Sequence, residues 1–272
     1  MKVWGKLCGA FFGFMFGHVF GALLGLWLGH KFDRALSQDF SVQEGLMGSL
    51  RKQALKSRQL FFHATFSVMG HIAKAKGHVT QAEIQVASLL MDRLKLDADH
   101  KQAAQEAFRQ GKSVDFPLEQ VMEEFVASCR GRRDVLQMFL EIQLQAAFAD
   151  GELHQKEKAV LEVISDTLGF SRTDLTRLIS MIEAEFKFHR QGKRASAADR
   201  EQQLQDAYQL LGVTPEQSAQ EIKKAYRKLM NQHHPDKLVA KGLPEEMMEV
   251  AKEKAQDIQQ AYELIKQAKE FK

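Results

Sequence analysis

Cysteine is nearly absent from this chain. Among 272 residues only Cys8 and Cys129 carry a thiol, and no Cys-x-x-Cys pair occurs. That excludes a cysteine-ligated zinc module and a disulfide framework, in keeping with a reducing compartment. Proline is scarce too, confined to positions 117, 215, 235 and 244. Alternating apolar and polar runs are few, so the pattern predicts an all-α protein. A large charge excess is also missing: a formal net charge of +3 is too small to point to nucleic acid, and the ten histidines do not cluster. No nucleophile–base pair stands out, so the chain is expected to be no enzyme and to need no cofactor. The remainder, 44% hydrophobic and 27% charged, suits folded domains, and the length allows two small ones plus appendages.

The exception to that composition lies at the start. From Leu7 to Leu28 there are 22 residues with no formal charge, His18 being the one ionisable group. As a helix they span about 33 Å, the hydrocarbon thickness of a bilayer. A cleaved signal peptide would be followed by a small-x-small site; His30-Lys31-Phe32-Asp33-Arg34 follows instead. Residues 1–30 are therefore read as a transmembrane helix with a short tail, with Trp4 and Trp27 near its ends as interfacial anchors. Its glycines have a register: Gly5, Gly9, Gly13, Gly17, Gly21, Gly25 and Gly29 recur every four residues. Small residues at that spacing let two helices approach closely in lipid, so a homodimer through this glycine zipper is expected. Each four-residue step turns about 400°, so the stripe drifts by about 40° per step. A straight contact then uses a subset, with Gly13, Gly17 and Gly21 at its centre. Flanking charges are nearly balanced and leave the orientation open, with Lys2 and Lys6 on one side and Lys31 and Arg34 on the other.

A polar juxtamembrane segment, 31–54, leads to helical periodicity over 55–188. Within it, Leu60–Leu96 and Leu136–Ile182 are related by an offset of 74 residues, which places Gly77 on Gly151, Val79 on Leu153, Glu83 on Glu157, Val86 on Val160 and Leu94 on Leu168. This is a duplicated helix–turn–helix unit. In each copy Gly ends one helix. Thr80-Gln81-Ala82-Glu83 then forms a capping box, and His154 in place of Thr is expected to cap more weakly. On the phrases Ala73-Lys74-Ala75-Lys76-Gly77 and Ala147-Phe148-Ala149-Asp150-Gly151-Glu152 the region resembles the tellurite-resistance TerB-like helical domain. In relatives the residue before the Gly is commonly Asp, and a metal-linked role has been considered for such loops; here Lys76 takes that place in the first copy. A metal site would have to rest on Asp150, Glu152 and Glu157, too few convergent oxygens, so helix-turn chemistry and no metal is expected. Residues 189–203, with Gly192 and the basic group Arg190, Lys193 and Arg194, are read as a spacer that is flexible or partly helical.

The last segment, 204–272, has three helical stretches. Asp206–Leu211 is closed by Gly212, and Ser218-Ala219-Gln220-Glu221 is a capping box opening the second. There Ile222, Ala225, Tyr226 and Leu229 form one apolar face, while Lys223, Lys224, Arg227 and Lys228 take the flank and far side. His233-His234-Pro235-Asp236-Lys237 is expected to begin a loop, because proline lacks a donor. Pro244 and Glu245 open the third helix, with Met248, Ala251, Ala255, Ile258, Tyr262 and Ile265 as its buried face.

The His234-Pro235-Asp236 tripeptide, the basic helix before it, Tyr208/Leu211/Gly212 and Ala261-Tyr262-Glu263-Leu264 together resemble the J domain of DnaJ-type co-chaperones. Ala255 stands where such domains often carry a larger aromatic, which is expected to loosen the helix contact. The zinc substrate-binding module of other members does not follow, so client choice is expected from the middle domain or from location. The resemblance implies a DnaK-type chaperone as partner. It is bound by the basic residues Lys223, Lys224, Arg227 and Lys228 and stimulated through His234, Pro235 and Asp236. As a whole the chain is similar to the membrane-anchored DnaJ-like co-chaperones of Gram-negative bacteria. That family implies an inner-membrane protein with a periplasmic N-terminus, cytoplasmic bulk, and membrane lipid as a further partner. The competing reading is a membrane signalling or scaffold adaptor in which the J domain is secondary.

Overall fold

The computed structural model describes residues 54–129, 131–190 and 197–270. The transmembrane helix and its seven glycines, Gly5 to Gly29, lie outside the described residues, as does the juxtamembrane segment up to residue 53. Among the described residues no helix is long and apolar enough to cross a membrane. They are helical without strands. The elements are α1 (54–75), α2 (Gln81–Arg93), α3 (Ala98–Gly111), α4 (Leu118–Cys129), α5 (Arg133–Ala147), α6 (Gln155–Thr167) and α7 (Arg172–Arg190). They continue with α8 (Ala197–Leu211), α9 (Ala219–Gln232), α10 (Pro235–Ala240), a 3₁₀ turn at Glu245–Met247, and α11 (Met248–Ala268).

The duplication is visible as α1–α2 and α5–α6. Gly77 and Gly151 both adopt positive φ, 104° and 98°, where a side chain would be strained. Both capping boxes form. Thr80 Oγ1 accepts from the Glu83 N–H, and Glu83 Oε2 accepts from the Thr80 N–H at 2.6 Å. In the second copy the imidazole of His154 accepts from the Lys156 N–H at 3.2 Å, and Glu157 accepts from the His154 N–H at 3.1 Å. The same offset relates the start of α3 to that of α7. α1 and α3 cross with backbones nearly touching: a Cβ on Gly70 would lie 2.1 Å from the Phe108 carbonyl oxygen, and one on Gly111 would lie 1.8 Å from that of Ser67.

Two apolar cores organise residues 57–272, which form one compact unit. The larger centres on Phe61, Phe66, Phe125, Phe139, Leu144, Leu161 and Ile164. It also takes in Leu238, Leu243, Met247, Val250 and Ala251 from the C-terminal segment. The smaller gathers Ala207, Tyr208, Leu211, Ile222, Leu229, Ile258 and Ile265, together with Met181, Ala184 and Phe188 of α7. Each core therefore draws on both the middle and the C-terminal segments.

Two local expectations need correction. Proline 235 begins a helix rather than a loop: His234 is the extended N-cap (φ −66°, ψ 121°) and Pro235 is the first helical residue of α10. Proline suits that position because its missing N–H would have no intrahelical partner there. Met248 is exposed, and α11 begins at it after a 3₁₀ turn. The buried set of α11 instead includes Val250, Lys254 and Asp257 as well as Ala251, Ala255, Ile258, Tyr262 and Ile265. The helix is packed on two sides, so a single-face pattern underestimates its burial.

Candidate functional site

The C-terminal helices position a small polar surface. α9 is started by Ser218, whose Oγ accepts from the Glu221 N–H while Glu221 accepts from the Ser218 N–H at 2.8 Å. Burying Ile222 and Leu229 orients the helix. Tyr226 stacks on Tyr262 of α11, ring centroids 4.1 Å apart. That leaves Lys224, Arg227 and Lys228 exposed and Lys223 half-buried. At the end of α9 the His233 N–H donates to the Leu229 carbonyl at 2.9 Å. His234 and Asp236 are exposed on either side of the half-buried Pro235. Lys237 donates to the Asn231 side chain and ties the start of α10 back to α9. The basic face and the His-Pro-Asp segment are thus both accessible, separated in the chain by residues 229–233.

Behind this surface lies a polar cluster that pattern reading missed. His233 is 2% exposed, and its Nε2 lies 3.6 Å from Glu141 of α5. Lys254 of α11 is ion-paired with Glu185 of α7 and lies 3.8 Å from Glu141. Gln137 donates to Glu141 at 2.8 Å, and Gln145 donates to Glu185 at 2.9 Å. Burial pushes the His233 imidazole below its ordinary pKa, so it is held neutral despite the nearby carboxylates. Burial also works against the Lys254 ammonium, but Glu185 and Glu141 outweigh it and raise its pKa. At the rim Lys241 pairs with Asp134, Arg58 with Glu246, and Arg93 with Glu253. A cleft of about 550 Å³ opens beside the cluster, lined by Val86, Leu89, Met138, Glu141, Phe186 and Lys254 among others. The legible signal was a charge inside an apolar run: Glu141 sits within Val135–Leu144, and Lys254 lies one turn from both Val250 and Ile258.

The loops before α2 and α6 do something other than hold Asp150, Glu152 and Glu157 together. Glu152 is exposed, and its N–H faces Asp150 at 3.4 Å. Glu83 takes its place in the cluster. The Lys76 ammonium lies 2.7 Å from Asp150, 3.0 Å from Glu83 and 3.0 Å from Glu157. Burial disfavours the charge on Lys76, yet hydrogen bonds to the three carboxylates raise its pKa. A cation built into the chain occupies the point where these carboxylates converge.

Comparison with known proteins matches this arrangement from end to end. Residues 1–39 match the Co-chaperone DjlA transmembrane domain, 62–179 match Tellurite resistance protein TerB, and 206–271 match the DnaJ domain. The chain is 54% identical to Co-chaperone protein DjlA of Vibrio cholerae, over 100% of both chains. It is 51% identical to that of Photobacterium profundum, over 99% of this chain and 100% of the relative. To that of Escherichia coli K12 it is 50% identical, over 100% of both. No solved structure matches the chain. With a transmembrane domain, a TerB-like domain and a C-terminal J domain in this order, and half its residues shared over full length, the chain belongs to the DjlA family of co-chaperones.

Proposed function

We propose that this co-chaperone stimulates ATP hydrolysis by a cytoplasmic DnaK-type chaperone and recruits it to the inner membrane. The observation that carries the reading is the accessible His234-Pro235-Asp236 turn, reached directly from a helix whose outer face is Lys224, Arg227 and Lys228. Lys223, Lys224, Arg227 and Lys228 attract an acidic surface on the ATP-bound partner and speed the encounter. His234 and Asp236, presented by the stiff Pro235, make the contacts that trigger hydrolysis. The membrane helix keeps the N-terminus periplasmic and the bulk cytoplasmic, where ATP and the partner are found. Its glycines, Gly5 to Gly29, pair two copies, so that two J domains act side by side.

The test uses the full chain in detergent micelles with a DnaK-type chaperone and ATP. The native chain raises the hydrolysis rate and His234→Gln abolishes the increase. His234 makes no side-chain cap hydrogen bond, so the substitution leaves the helices intact. An unchanged rate with His234→Gln, or a cellular effect that survives it, favours the adaptor reading.

A further inference from the structure

We propose that Glu141 and Glu185 of the middle domain are positioning residues for the His234-Pro235-Asp236 turn, acting through His233 and Lys254. The proposal rests on the partner reading above and adds to it a role for the TerB-like domain.

The geometry is a turn held at both ends. On its N-terminal side the anchor is His233, the residue bonded to His234, buried beside Glu141. On its C-terminal side the anchors are Leu238 and Leu243, 1% and 2% exposed within the middle domain's apolar core. The Leu243 N–H returns to the Leu238 carbonyl at 2.9 Å, which closes α10. Only the stretch from His234 to Lys237 is left between these anchors. A segment bracketed this way has lost its freedom before any partner arrives, and a partner then binds a turn that is already ordered.

The cluster that holds the anchors is selective for one docking geometry. Lys254 is buried and balanced by carboxylates from two helices, Glu185 of α7 and Glu141 of α5. Removing one member of a buried ion cluster leaves an uncompensated charge, so α11 either seats on α5 and α7 in this register or does not seat. Docking leaves the partner-facing residues open: His234, Asp236, Lys224, Arg227 and Lys228 are all exposed in the docked form. The contact therefore orders the turn without covering it.

Two variants of the full chain in micelles test this, one opening the contact and one locking it. Lys254→Glu sets three carboxylates against one another. Hydrogen exchange over 233–243 should rise, and the concentration for half-maximal stimulation of the chaperone's hydrolysis should rise by about 3- to 10-fold, as when the competent form falls to a minor fraction. The maximal rate should stay near native. For the lock, the exposed pair Arg93 and Glu253 is replaced by cysteines and bridged with a short bismaleimide. The bridged protein should keep the native half-maximal concentration. Loss of stimulation on bridging would mean that the domains must separate to act, and would overturn the proposal. So would faster exchange in Lys254→Glu with an unchanged half-maximal concentration, or stronger stimulation by that variant. If the native chain gives no stimulation, the function reading itself fails and takes the proposal with it. If the native chain stimulates and Lys254→Glu behaves identically, only the positioning role is lost.

Discussion

Lys76 and Asp150 occupy equivalent positions in the two halves of a duplicated unit, and they touch: the ammonium lies 2.7 Å from the carboxylate. Glu83 and Glu157, a second equivalent pair, close the same cluster. Residues near the axis of a duplication meet their own counterparts, so like charges there would face each other. A lysine in one copy relieves that repulsion. Replacing it with methionine should leave buried Glu83 and Glu157 without a counter-charge and cost about 3–5 kcal/mol. Asp150→Asn should cost at most about 1 kcal/mol, since that side chain is 32% exposed. Denaturant unfolding of the two variants should differ accordingly; equal losses would show that the lysine is not the centre of the cluster.

Backbone geometry predicts opposite effects at two other sites. Gly70 lies mid-helix at the crossing with α3, where a methyl group would strike the Phe108 carbonyl. Gly70→Ala should destabilise by about 1–3 kcal/mol, although it improves local helix propensity. Lys95 has φ 49°, while its counterpart in the second copy is Gly169 with φ 75°. Lys95→Gly should therefore stabilise by about 1 kcal/mol. Thermal unfolding of the two variants checks both signs.

Acid should weaken the contact at His233. Burial holds its pKa below the ordinary 6.5, so as pH falls the unfolded chain takes up this proton before the folded one. Stability from this group is present above the unfolded pKa. It is lost as pH falls through and below 6.5 toward the depressed folded value, at up to about 1.4 kcal/mol per unit. Glu141 and Asp134 of α5 and Glu185 of α7 pull the other way, and Lys254 of α11 adds to burial. His233→Gln should flatten the decline in unfolding midpoint between about pH 7 and pH 5.5. Parallel curves for the two proteins would remove His233 as the cause. Glu157, whose pKa is raised by burial, titrates equally in both and cancels.

Replacing Lys223, Lys224, Arg227 and Lys228 with alanine should reduce stimulation of the chaperone and flatten its dependence on salt. These side chains lie outside the cores, so the helices should persist. A variant that keeps native potency at low ionic strength would count against electrostatic docking.

In membranes, Gly17→Leu should weaken self-association in a transmembrane reporter assay, because the larger side chain blocks close helix approach. Full association would move the seam away from the glycine register.

Sequence and fold contributed different things. The order of modules and the duplication were legible as motifs and repeated phrases along the chain, and the capping boxes were legible because each depends on residues within one helical turn. Local rules also placed Gly77 and Gly151 at helix ends. They failed at Pro235, where a residue that commonly breaks helices instead starts one, and at Met248, which the apolar pattern placed inside.

What the sequence by itself determined is the set of parts: a membrane segment, a repeated helical unit and a J domain with its basic helix. Only the tertiary structure decided how the last two share their cores. Lys254, Glu141, Glu185 and His233 are far apart in the chain, on three helices and the end of a fourth, and although Glu141 and Lys254 each interrupt an apolar run, nothing local says that they meet. A buried ion cluster has no periodicity. It exists only once packing removes water from those four side chains together, and that step places the TerB-like domain against the residue that precedes His234-Pro235-Asp236.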